Sequence, residues 1–167
     1  MEFQPKPISH DAIPAALEKA QRYRLLNEPV QAESICLDIL AIEPDNQQAL
    51  ATQILAITDR LQAEMSAGVT RARALLPRLS DEYHREYFGG IICERYAMAA
   101  LALGAPRAGE IAYQWLRDAM VWYEKAERLR PVGEDEAILR LNTCARLIDR
   151  MPHVTPPHKE EYEPSFE

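Results

Sequence analysis

A small residue stands 12 positions before a proline twice in this chain, at Ala32 and Pro44 and again at Ala119 and Pro131. An aromatic residue accompanies each copy, Tyr23 in the first and Tyr123 in the second. Alanine at a helix crossing lets two backbones approach closely, and a proline after it stops the second helix. The pair of signatures therefore predicts stacked antiparallel helix hairpins.

The rest of the sequence fits an all-α chain. No segment alternates apolar and polar residues long enough to make a strand, whereas apolar spacings of three and four are frequent. In the first hairpin Ile13, Leu17 and Ala20 share one helical face, with Pro14 in the first turn. Asn27-Glu28-Pro29 breaks the pattern. Ala32, Ile35, Cys36, Ile39 and Leu40 then form a second stripe that ends at Pro44-Asp45-Asn46. Between Pro44 and the late signature, Leu50, Ile54, Ile57 and Leu61 predict a helix from Gln47 to about Gln62, and a second helix is expected from Val69 to about Leu79, ended early by Pro77. Ser66 and Gly68 are assigned to the loop between them. A long helix from Glu82 to Leu103 closes at Gly104-Ala105-Pro106, the aromatic segment with Trp115, Trp122 and Tyr123 follows, and Glu134 to Arg150 forms a last amphipathic helix. Seven helices are expected over residues 13 to 150, flanked by an arm of residues 1 to 12 and a Pro/Glu-rich tail from 151 to 167.

Ala20-x-x-Tyr23, Ala32-x-x-x-Cys36 and Pro44 resemble a tetratricopeptide repeat (TPR). The run Leu40 to Asn46 is similar to the usual repeat ending, and Ala119, Tyr123, Ala126 and Pro131 resemble the second helix of another copy. The match is divergent, because Ala16 and Lys19 stand at the tryptophan and leucine sites and Cys36 at the phenylalanine site. The two matched prolines are 87 positions apart, 19 more than two 34-residue units need. About three repeats with stretched helices and a capping helix are implied, stacked as a right-handed superhelix.

The resemblance implies a protein-protein interaction module, an adaptor or scaffold whose first helices line a concave groove for a peptide or partner helix. The groove residues expected on that register are Leu17, Gln21, Arg24, Leu55, Thr58, Glu94, Met98, Leu101, Asn142 and Arg146, with Ala51 and Ile138 beside them. Gln21 and Leu55 occupy two sites where the subfamily that clamps a terminal carboxylate carries its polar cluster, so no such clamp is implied. A small cytoplasmic chaperone for a secreted client and a metal-binding or enzymatic helical bundle are the alternative readings.

Charge and motifs narrow the partners. The 167 residues carry a net charge of -7, and Glu160, Glu161, Glu163 and Glu167 against Lys159 place much of it on the tail. No basic stripe for nucleic acid and no Lys/Arg-rich amphipathic face for a membrane surface is present. No signal peptide or apolar span is seen, and a cytoplasmic location is expected. Cys36, Cys93 and Cys144 lie among apolar helical residues and read as reduced core thiols. Asp81-x-x-His84 with Glu86 and Glu94 is similar to half of a di-iron ligand set, but the second half is missing. No catalytic residue, metal ligand or cofactor is assigned, and homo-oligomerisation stays open. Tyr162 and Phe166 in the tail are candidates to dock in a groove of this molecule or a neighbour.

Ala32→Leu is predicted to lower stability by about 1 to 3 kcal/mol through overpacking of the first hairpin. Thermal unfolding indistinguishable from wild type would remove Ala32 from the crossing.

Overall fold

The computed structural model describes residues 3–157 and is all-helical. Seven α-helices follow one another: α1 (Ile13–Leu25), α2 (Pro29–Ile42), α3 (Gln47–Thr58), α4 (Leu61–Leu75), α5 (Glu82–Leu103), α6 (Ala108–Leu129) and α7 (Glu136–Arg150). Each packs on the next, so α1/α2, α3/α4 and α5/α6 form hairpins and α7 covers the flank of α6. The first helices also touch across hairpins, α1 on α3 and α3 on α5. Among the described residues no helix is long and apolar enough to cross a membrane.

Local chemistry explains the helix ends. Proline opens α2, where a missing N–H costs nothing. Asn46 caps α3 by accepting from the Ala49 N–H at 2.9 Å, and the Asp81 carboxylate caps α5 by accepting from the Tyr83 N–H at 3.3 Å. Gly104, at φ 62°, closes α5 in the left-handed conformation that glycine adopts without strain.

Ala20, Ala32, Ala119 and Ala126 are fully buried. They mark the close crossings that the sequence spacing anticipates. Between α5 and α6 the approach is closer still. A Cβ on Gly89 would lie 2.5 Å from the Trp122 ring, and one on Gly90 would penetrate the Tyr123 ring. Tyr123 is fully buried, its hydroxyl donates to the Glu94 carboxylate at 2.6 Å, and Arg140 of α7 donates to the other oxygen of Glu94 at 3.1 Å. Nearby, Trp115 stacks on Tyr96 with ring centroids 4.0 Å apart. Trp115, Trp122 and Tyr123 of α6 are thus packing groups within the α5/α6 hairpin.

The middle hairpin differs from the expected boundaries. Helix α3 stops at Thr58 instead of running to Gln62, and the turn is Asp59-Arg60, not the segment around Ser66 and Gly68. Leu61 continues the apolar spacing of α3 but is buried at the start of α4. The period runs on through the turn, which hides it in the sequence. A break inside α4 falls at Met65, with φ 37°, close to the loop assigned there. Ion pairs brace this region: Glu33 of α2 receives Arg60 at 3.2 Å and also Arg71, while Glu64 receives Arg71 at 2.6 Å. Pro77 lies in a 3-10 turn, Leu76–Arg78, immediately after α4, as its early stop requires.

Described residues on both flanks of the helices pack against them. Ile8, in the expected arm, packs on the core. After Arg150 the chain turns back over α6, so that Val154 is buried and the His153 carbonyl lies against Gly109, where a side chain would collide with it. Tyr162 and Phe166 lie outside the described residues.

Gly90→Ala is expected to cost about 1 to 3 kcal/mol, because the Tyr123 ring is anchored by Glu94 and cannot retreat. Gly89→Ala should cost less, since Trp122 is half-buried and has room to turn. Chemical denaturation of the two variants gives the comparison, and equal costs would contradict the anchoring of Tyr123.

Candidate functional site

Three clefts run along the first helices. One, of about 610 Å³, lies between α1 and α3 and is lined by His10, Pro14, Leu17, Glu18, Glu43 and Gln48 among others. A second, of about 410 Å³, lies between α3 and α5 and is lined by Gln47, Gln48, Ala51, Ser80, His84 and Phe88 among others. Gln48 borders both, so the two clefts adjoin at that residue. A third, of about 400 Å³, lies farther along these helices between Thr58, Asp59, Gln62, Arg95, Met98 and Ala102.

The polar groups around these clefts are largely engaged. The Glu43 carboxylate accepts from Asn46 at 2.7 Å and pairs with His10 at 2.8 Å. Gln47 accepts from the Ser80 N–H at 2.8 Å, which joins the start of α3 to the turn before α5. His84 pairs with Asp81 at 2.5 Å, one helical turn away. That contact uses the Asp81-x-x-His84 motif at the head of α5, whereas Glu94 is committed to Tyr123 and Arg140. Among the described residues no three histidine, cysteine or carboxylate groups converge on a metal position.

At the other end of the helices Asp59 is shared by two arginines. Arg24 of α1 donates its Nε to one oxygen at 2.8 Å, and Arg95 of α5 donates to the other at 2.5 Å. Arg95 Nη1 also reaches the Thr58 hydroxyl at 2.7 Å and the Leu55 carbonyl at 3.0 Å. Burial lowers the Arg95 pKa from its ordinary value, and Asp59 opposes that shift. Three first helices are joined through one carboxylate.

The expected groove residues divide accordingly. Leu17 is buried in the floor of the first cleft, and Thr58 and Met98 line the third. Arg24, Leu55 and Thr58 are drawn together by Asp59 and Arg95. Gln21 is exposed on α1, Leu101 is half-buried against the core, Asn142 is half-buried and Arg146 exposed on α7. Glu94 corrects the expected register: it is only 6% exposed and belongs to the buried α5/α6/α7 contact. The cleft face of α5 carries Arg95, Met98 and Ala102 in place of Glu94, Met98 and Leu101, a rotation of one residue. Asp59, Arg95, Gln48 and Phe88 were absent from the expected set. Arg95 had a signal, its spacing of three from Met98, but Asp59 had none, because its partners come from distant helices.

Neither a family model, nor a curated protein, nor a solved structure matches this chain.

The cysteines are free and buried. Burial pushes the thiols of Cys36 and Cys144 up to about 12 and raises that of Cys93 as well. Such thiols stay protonated and unreactive at neutral pH. A thiol raised in the folded state contributes stability that is complete below its unfolded pKa and is lost as pH rises through the folded value. Stability is therefore predicted to fall progressively from about pH 9 to pH 12, and urea midpoints measured across that range should decline less in a Cys36→Ala/Cys144→Ala variant than in wild type.

Proposed function

We propose that this protein is a TPR-like interaction module, an adaptor or scaffold that receives a segment of another protein along α1, α3 and α5. The observation that carries the reading is the pair of clefts adjoining at Gln48, which we read as one depression along α1, α3 and α5. Its floor is apolar, through Leu17, Ala51 and Phe88, and its rim offers histidine, carboxylate and amide groups. An apolar floor supplies burial energy, and hydrogen-bonding groups at the edge fix register. A depression crossing three parallel elements suits an extended chain or a helix better than a compact small molecule.

The stack supports the same reading. The Gln47 bridge to Ser80 and the Asp59 link join the first helices before any partner arrives. A preformed surface loses little conformational entropy on binding.

Ala51→Arg places a long side chain across the floor at a helical position where arginine is well tolerated. Affinity capture from the native cell followed by mass spectrometry should lose partners at least about tenfold with this variant, while its melting temperature stays close to wild type. A secreted protein among the lost partners would identify the chaperone form of the function. Identical capture by both proteins would remove the depression as the binding surface.

A further inference from the structure

The two ends of the stack are finished differently. At the far end α7 covers α6, and Val154 is buried in the core. At the near end a shallow cleft of about 270 Å³ is lined only by residues 8 to 38, so nothing from α3 onward reaches it. Its surface is largely apolar, through Ile8, Ala15, Ala16 and Ile35, with Lys19 of α1 and Asp38 of α2 also lining it. Neither Lys19 nor Asp38 has a hydrogen-bond or ion-pair partner among the described residues. A helical stack normally closes each end with a polar face or a capping helix; here the near face is apolar at its centre and carries one unpaired charge of each sign at its edge.

We propose that this face is covered by the same face of a second copy of the chain. A two-fold axis through the cleft places Lys19 of each copy against Asp38 of the other, so both charges are paired twice over by one symmetry operation. The same axis lays α1 of one copy over α2 of the next. Ala15 and Ala16 keep the approach close, and Ile8 and Ile35 of both copies meet at the centre. A partner with a uniformly charged surface would leave one of the two edge charges facing a like charge, which disfavours it. This inference does not depend on the groove reading, because the cleft lies on a different face and shares no lining residue with the depression along α1, α3 and α5.

The size of the face sets the strength. Helices of 13 and 14 residues are about 20 Å long, and two side by side present a strip about 20 Å wide, or about 400 Å² per copy. The total of about 800 Å² lies below standard specific interfaces and in the range of weak, transient ones. The dimer is therefore reversible and concentration-dependent, and it closes at two copies because an isologous contact consumes the face.

Sedimentation velocity of the full chain, from about 1 to about 500 μM, tests this. The wild type should shift from monomer to dimer within the series. Lys19→Asp and Asp38→Lys should each weaken association by at least about tenfold through like-charge contact, and the combined Lys19→Asp/Asp38→Lys variant should restore it. Circular dichroism confirms that each variant is folded. A wild type that remains monomeric throughout, single variants that dimerise like wild type, a double variant that does not recover, or growth beyond two copies each overturns the proposal.

Discussion

The Tyr123 hydroxyl bonded to Glu94 is the contact on which the second half of this protein depends. It places a tyrosine ring flat against the backbone of Gly90, fixes the separation of α5 and α6, and presents the second carboxylate oxygen to Arg140 of α7. A carboxylate taken out of water is costly unless its oxygens are paired. Here one phenol and one guanidinium pair both, and burial drives the Tyr123 pKa far above its ordinary value, so the proton stays on the phenol. Removing Glu94 leaves both the buried phenol and the Arg140 guanidinium without this partner, whereas removing either of those leaves one carboxylate oxygen unpaired, which makes the contact specific in its geometry.

Much of this architecture is legible in the sequence because it follows from local rules. Pro29, Asn46, Asp81 and Gly104 mark helix ends by their backbone chemistry, and Ala32 and Ala119 mark crossings by their size. The end of α5 is readable because Gly104-Ala105-Pro106 stops it, and the Asp81 carboxylate caps its start. Where two helices share one apolar period, as Leu50, Ile54, Ile57 and Leu61 do across the Asp59-Arg60 turn, the local rules give no warning. That turn is held instead by Glu33 and Arg95, which lie far away in sequence.

The candidate groove was legible only in outline. Leu17, Thr58 and Met98 line clefts, but a one-residue rotation of α5 from the expected register moves Glu94 inside and brings Arg95 out. One residue is about 100° around a helix, enough to exchange a buried ion pair for a cleft wall. The choice is made by Tyr123 and Arg140, which need a carboxylate between them, and by Asp59, which needs a guanidinium. Neither demand is visible from α5 alone.

The shared Asp59 sets the two halves of the stack apart. Helices α5 and α6 are joined by rings, glycines and a buried phenol–carboxylate hydrogen bond. Helices α1, α3 and α5 are joined through charges only 18 to 22% exposed, whose attraction is screened less than that of a surface pair. One carboxylate in a two-residue turn thus does for three helices what ring packing does for two.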